Sequence, residues 1–248
     1  MIEISGQDRV FILTGAGISA ESGIPTFRGA GGLWRNYRVE EVASPIAWQR
    51  DPGFVWEFYS MRRRVARTVE PNPGHLTLAL LERTLQDRLF LCTQNVDRLH
   101  EQAGSKHAVH MHGELFKSRC DRCDRPPFPD EQTYSLPAKV PRCPCGGQIR
   151  PHICWFGEVP YYLDQIFQAL AECTLFIAIG TSGAVEPAAS FVSHVRGHAP
   201  SFYVGPEEPA NASAFTRCFL GKSGELLPRL FRHEGRTISE MREASGPD

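Results

Sequence analysis

An apolar run, Val10 to Leu13, ends in Thr14 and passes at once into Gly15-Ala16-Gly17-Ile18-Ser19-Ala20. A buried strand that turns on glycines into a helix is the opening unit of a doubly wound α/β fold, and this turn satisfies the dinucleotide pattern G-x-G-x-x-G/A. Glycines there let backbone approach a pyrophosphate, although a tight turn without ligand uses them equally. A hydride-transferring dehydrogenase would place an acidic residue at the end of a second strand some 20 residues on. Glu40 and Glu41 stand near that distance, but Trp34-Arg35-Asn36-Tyr37-Arg38 before them is no buried strand, which counts against hydride transfer.

Three further short apolar runs, Leu89 to Cys92, Leu175 to Ile179 and Phe202 to Val204, read as buried parallel strands. Between them Pro73 to Leu85 has a helical pattern, with Asn72 as cap, Pro73 in the first turn, and Leu76, Leu80, Leu81 and Leu85 at helical spacing. The expected fold is therefore α/β, a doubly wound, Rossmann-like parallel sheet. Two stretches break the rhythm: Arg35 to Glu70, rich in aromatics and arginine, and Phe116 to Arg150, which holds two cysteine pairs. They are expected to form a smaller inserted lobe, and Glu243 to Asp248 a loose tail.

Composition narrows the function classes. With 27 Lys+Arg against 28 Asp+Glu in 248 residues, the chain lacks the basic excess of a dedicated nucleic-acid binder, so no nucleic-acid partner is expected. Only four apolar residues run together near the start, with no basic segment before them, so neither a leader nor an anchor is expected. The expectation is a cytoplasmic protein without membrane contact. Four of the eight cysteines cluster, as Cys120, Cys123, Cys143 and Cys145, which in a reducing compartment suggests a metal; the other four stand singly, as ordinary buried thiols do.

The longer run from Gly15 through Gly23-Ile24-Pro25-Thr26-Phe27-Arg28-Gly29 resembles the NAD-binding signature of the sirtuins, the NAD-dependent protein-lysine deacylases. Four further blocks match in order: Pro71 to His75, Thr93-Gln94-Asn95-Val96-Asp97, His112-Gly113-Glu114, and Gly180-Thr181-Ser182 with Pro187-Ala188; Trp155 to Glu158 matches as well. The resemblance spans roughly Val10 to Leu230. It implies a discontinuous Rossmann-like NAD-binding domain (1–34, 71–115 and 151–248) and a small domain made of a helical insertion (35–70) and a zinc-ribbon insertion (116–150).

The resemblance further implies that NAD is consumed: the acyl-lysine oxygen attacks the ribose carbon bearing nicotinamide, inside a site that excludes water. Gly15, Ala16, Gly17 and Ala20 would line the ribose-phosphate pocket, Arg28 would contact NAD, and Phe27 would screen the reactive carbon. Gln94, Asn95 and Asp97 would line the ribose and nicotinamide pocket, and Gly180, Thr181 and Ser182 the phosphate and ribose. His112 is the implied general base, an imidazole titrating near neutrality. His107 and His110 are equally eligible by residue type, and only the Gly-Glu that follows singles out His112. His75 is expected to be structural. Gly205-Pro206-Glu207 departs from the Asn-x-Glu that often contacts the adenosine ribose, so no contact is assigned to Gly205.

Cys120-x-x-Cys123 and Cys143-x-Cys145, separated by 19 residues, resemble the family's structural zinc ribbon, in which four thiolates close the coordination sphere. The second pair is one residue shorter than usual, and a redox pair or a vestigial module remain the other readings. On the helical stretch of the first insertion, Tyr59 and Arg62 lie three apart and share a face. They match the Tyr-x-x-Arg pair of the family branch containing human sirtuin 5 and the bacterial enzyme CobB, which recognises acidic acyl chains. A guanidinium and a phenol suit a terminal carboxylate; a solvated basic face is the competing reading. Trp155, Phe156, Gly157 and Glu158 resemble the strand that pairs with substrate backbone. The implied activity is removal of succinyl, malonyl, glutaryl and acetyl groups from protein lysines, releasing nicotinamide and 2′-O-acyl-ADP-ribose, by a monomer. A mono-ADP-ribosyltransferase and a non-enzymatic zinc-ribbon binding module using Arg119, Arg122 and Arg125 are the alternatives.

Overall fold

The computed structural model describes residues 1–26, 33–34, 37–134, 140–238 and 240–241. Six strands form one parallel sheet: β1 (Val10–Thr14), β2 (Leu89–Thr93), β3 (Val109–His110), β4 (Leu175–Ile179), β5 (Ser201–Gly205) and β6 (Arg217–Leu220). Their spatial order is β6-β5-β4-β1-β2-β3. The chain winds outward from β1 in one direction and resumes at β4 in the other, which is the Rossmann order and puts the switch point between β1 and β4.

Both faces of the sheet are covered, which is why the four runs legible in the sequence are apolar without alternation. Val10, Ile12, Leu89, Leu91, Ile177 and Val204 pack on one side with Leu78, Leu81 and Leu85 of the helix Pro73–Leu85 and with Leu227. Phe11, Leu13, Cys92, Phe176 and Tyr203 point the other way and pack with Ile166, Leu170 and Phe191. The helix Pro73–Leu85 begins as its sequence dictates: Asn72 Oδ1 accepts the Gly74 N–H at 2.9 Å, and Pro73 occupies a first-turn position where its missing donor costs nothing. A small sheet of Ile2–Ile4, Phe231–His233 and Arg236–Thr237 closes the same core.

The second lobe has its own apolar cluster, built from the helices Val39–Val42, Pro45–Arg50 and Pro52–Ala66 against an antiparallel sheet of Gly113–Cys120, Phe128–Pro129 and Ile149–Ile153. Asp51 starts the long helix by accepting the Phe54 N–H at 2.9 Å, with Pro52 next. Arg63 ties that helix to the sheet from a fully buried position. Its guanidinium donates to the carbonyls of Leu115 and Gln132 and to Ser118 Oγ, and pairs with Asp130 at 3.2 Å. The arginine run thus divides: Arg63 is buried, Arg64 and Arg67 are exposed, and Arg62 is half-buried. No helix among the described residues is long and apolar enough to cross a membrane.

Candidate active site

The switch point is the centre of a cleft of about 1330 Å³. Its glycines are required first by backbone packing. Gly17 N–H donates to the Gly180 carbonyl at 2.8 Å, and a Cβ on Gly17 would lie 2.7 Å from Gly180 Cα. Gly180 has φ +61°, and a Cβ there would meet Ile18 N at 2.5 Å. The turns after β1 and β4 are therefore in contact, and no larger residue fits between them. The same closeness leaves a groove lined by Gly15, Ala16, Gly17, Ala20, Gly180, Thr181 and Ser182, wide and polar enough for a dinucleotide phosphate.

The loop after β2 enters this groove from the side. Asn95 Nδ2 donates to the Gly15 carbonyl at 3.0 Å and to Ser19 Oγ at 3.1 Å, and Ser19 Oγ donates to Asp97 Oδ2 at 3.0 Å. Gln94 Nε2 donates to Thr181 Oγ1 at 3.0 Å, joining the loops of β2 and β4. Burial pushes the Asp97 carboxyl above its ordinary range, against the hydrogen bonds from Leu99 N–H and Ser19. Ser19, buried and central to this network, had no distinguishing signal in sequence beyond its place in the glycine-rich run.

The three neighbouring histidines separate by their partners. His107 is exposed and away from the cleft. His110 has Nδ1 at 2.9 Å from the Asn95 carbonyl and Nε2 at 2.8 Å from Glu101 Oε1. Both its nitrogens face acceptors; burial opposes its charge, but Glu101 and the carbonyl raise its pKa above the usual value. His112 lines the cleft, with Nδ1 at 3.1 Å from the Gln94 carbonyl. A carbonyl only accepts, so Nδ1 carries the proton and Nε2 keeps its lone pair. Burial lowers the His112 pKa, with the Gln94 bond acting against it, so the ring is neutral at pH 7 and able to take a proton. His75 is buried, and its Nδ1 accepts the Asn72 N–H at 3.4 Å as part of a helix cap.

Tyr59 and Arg62 reach the same cleft from the helix Pro52–Ala66. The Arg62 Cζ lies 5.7 Å from the Tyr59 ring centroid. Burial raises the Tyr59 pKa, so the phenol stays protonated, and burial lowers that of Arg62.

Trp155 to Glu158 line the cleft as a turn, where a strand was expected. Glu158 N–H donates to the Trp155 carbonyl at 2.9 Å, and Gly157 at φ +90° closes the turn. Trp155 N–H is held by Glu158 Oε2 at 2.8 Å, and Phe156 N–H by the Ala43 carbonyl at 3.1 Å. Phe27 and Arg28 lie outside the described residues, as does the 243–248 tail; every other residue expected at the NAD and acyl pockets lines this one cleft.

The cysteine cluster lies apart from the cleft. The sulfurs of Cys120, Cys123, Cys143 and Cys145 all fall within 4.8 Å of one another, with Cys120 to Cys145 at 3.5 Å and Cys123 to Cys143 at 3.8 Å. Four thiolates about 2.3 Å from a tetrahedral zinc would stand about 3.8 Å apart, so the donor set fits the ion and leaves no open position. The shortened C-x-C pair closes through glycine: Gly146 has φ +88°, and a Cβ on Gly147 would meet Cys120 Sγ at 2.8 Å. Backbone N–H groups of Arg122 and Gly147 point at Cys120 and Cys145 sulfurs, each at 3.4 Å, as outer-shell donors to thiolates do.

Comparison with known proteins agrees with this geometry. The Sir2 family pattern matches residues 15–187. An NAD-dependent protein deacylase of Vibrio cholerae is 46% identical over 230 residues, covering 89% of this chain and 91% of its own. The mitochondrial NAD-dependent protein deacylase sirtuin-5 of Canis lupus familiaris is 40% identical, covering 93% of this chain and 83% of its own. Among solved structures, a Sir2 homolog–NAD complex superposes with a TM-score of 0.84 at 38% identity, over 97% of this chain and 92% of that one. A Sir2 homologue variant bound to 2′-O-acetyl ADP ribose gives 0.83 at 37% identity, over 98% and 96%. Strand order, glycine contact, four-sulfur cluster and these similarities agree: the chain belongs to the Sir2 family.

Proposed function

We propose that the chain is an NAD-dependent protein-lysine deacylase whose pocket accepts acidic acyl groups, namely succinyl, malonyl and glutaryl, in addition to acetyl. One observation carries the acyl assignment: Tyr59 and Arg62, a neutral phenol and a guanidinium, open into the same cleft as the Gly15–Gly17 turn, Asn95, Asp97 and His112. A terminal carboxylate placed there meets charge-assisted donors where little water competes.

When bound, NAD supplies the electrophilic ribose carbon that the acyl oxygen attacks as nicotinamide leaves. The chain's own residues do the rest. The contacting turns after β1 and β4 hold the phosphates, and Gln94, Asn95 and Asp97 position the ribose and nicotinamide. His112 Nε2 takes the proton from a ribose hydroxyl, its lone pair fixed by the Nδ1 bond to Gln94. The four cysteines hold a structural zinc in the second lobe.

Replacing Arg62 with Met tests the acyl assignment. Succinyl-lysine turnover is expected to fall about 100-fold, the scale of a buried charge-assisted bond, with acetyl-lysine turnover changed far less. Equal losses on the two substrates would overturn the acidic-acyl reading.

A further inference from the structure

We infer that Trp155 is a specificity-positioning residue of the acyl pocket: its indole N–H engages the Tyr59 oxygen and so turns the phenolic hydrogen into the cleft as an obligatory donor. This rests on the acidic-acyl reading above and deepens it.

The indole is buried, with 2% of its surface exposed, and therefore cannot act as a broad platform for a peptide. Its Nε1 lies 3.0 Å from Tyr59 Oη. An indole nitrogen only donates, so the phenol oxygen is the acceptor in that bond and its own hydrogen must point elsewhere. The positive Arg62 guanidinium stands on the same phenol. With the indole N–H already on its oxygen, the Tyr59 hydrogen completes its bonding by donating to an acceptor. A terminal carboxylate provides a charged acceptor and an acetyl methyl provides none, so acetyl-lysine gains nothing from this donor.

The indole is itself held. The Arg150 guanidinium lies 3.3 Å from the Trp155 ring centroid, and Glu158 accepts from Arg150 at 2.7 and 2.9 Å and from Trp155 N–H at 2.8 Å. Glu158 thereby fixes both the backbone of Trp155 and the cation stacked on its ring. Burial opposes the Glu158 charge, but Arg150 and the Trp155 N–H keep its carboxyl below the usual range. The Trp-x-x-Glu spacing and the distant Tyr59 thus form one unit, which explains why a substrate-contact segment sends its largest side chain inward.

The test compares Trp155→Phe, which keeps a ring on Arg150 but lacks the N–H, with Tyr59→Phe and the double variant, on succinyl- and acetyl-lysine peptides. Trp155→Phe is expected to lower kcat/KM on succinyl-lysine about ten-fold more than on acetyl-lysine, mainly through KM, the scale of one hydrogen bond. The double variant is expected to match Tyr59→Phe on succinyl-lysine, because Trp155 acts through that hydroxyl. Equal losses on both peptides, or multiplicative losses in the double variant, would overturn the inference while leaving the acidic-acyl reading intact. A wild-type enzyme that turns over acetyl-lysine but not succinyl-lysine would overturn both. If Trp155→Phe does not fold, β-(3-benzothienyl)alanine at position 155 keeps the shape without the donor, and the same ratio decides.

Discussion

The His112 ring donates through Nδ1 to the Gln94 carbonyl at 3.1 Å, and Gln94 in turn donates through its side chain to Thr181. One residue therefore sets the tautomer of His112 and joins the loops of β2 and β4. Neighbouring His110, with both nitrogens against acceptors, has no lone pair to offer. His112→Tyr is expected to fold, to retain NAD binding, and to lose at least about 1000-fold in turnover, within the range of general-base catalysis. His110→Gln is expected to cost stability more than chemistry. A His112→Tyr protein with near-normal turnover would refute the assignment.

The pH dependence of turnover follows from the same bond. Burial lowers the His112 pKa below 6.5, and a base must be unprotonated to act. The rate of the chemical step is therefore expected to be level through neutrality and to fall only as pH drops below about 6.5, the unperturbed value. Single-turnover rates between pH 5 and pH 8 check this; an inflection above 7 would contradict it.

Acid stability depends on a different pair. His75 and His100 are buried with ring centroids 5.0 Å apart, and His100 Nε2 lies 2.9 Å from Thr14 Oγ1. Burial lowers the His75 pKa to about 4 and that of His100 well below 6.5. Between about pH 6.5 and 4 the unfolded chain binds these protons and the folded chain does not, so stability is full above 6.5 and lost as pH falls. Each histidine contributes up to about 1.4 kcal/mol per pH unit in that window. Urea unfolding of wild type and His75→Gln at pH 7.5, 6 and 5 isolates one of them, since the thiolates are common to both. The variant is expected to show the shallower slope; identical slopes would contradict the buried neutral state.

The cysteine cluster predicts one zinc per chain. Denaturing the purified protein with a zinc indicator should release one equivalent, and Cys143→Ala should release none and melt at lower temperature. A wild-type chain free of zinc after growth in zinc-supplemented medium would sink the claim.

Local chemistry made much of this legible in advance. The apolar runs of β1, β2, β4 and β5 announce strands buried on both faces, and Asn72-Pro73 marks the start of a helix that ends at Leu85. Strands of two or three residues, such as β3 and Ile2–Ile4, carry no pattern of their own and exist only through pairing. The motif blocks marked the cleft residues without their arrangement. The bond between Trp155 and Tyr59 spans 96 residues, and the inward turn of Trp155 is accompanied by its contacts with Glu158 and Arg150, which no spacing rule links to a tyrosine on a helix of the first insertion. Likewise the glycines of the first turn are explained less by a ligand than by Gly180, which lies 163 residues beyond Gly17 and touches it.

The most direct test of the central claim is mass spectrometry of the products formed from NAD with succinyl-lysine, acetyl-lysine and unmodified peptides. Nicotinamide, deacylated peptide and 2′-O-succinyl-ADP-ribose in equal amounts, with the acetyl product formed more slowly and nothing from the unmodified peptide, is the predicted result. ADP-ribose attached to peptide or protein, or NAD consumption indifferent to acylation, would contradict it.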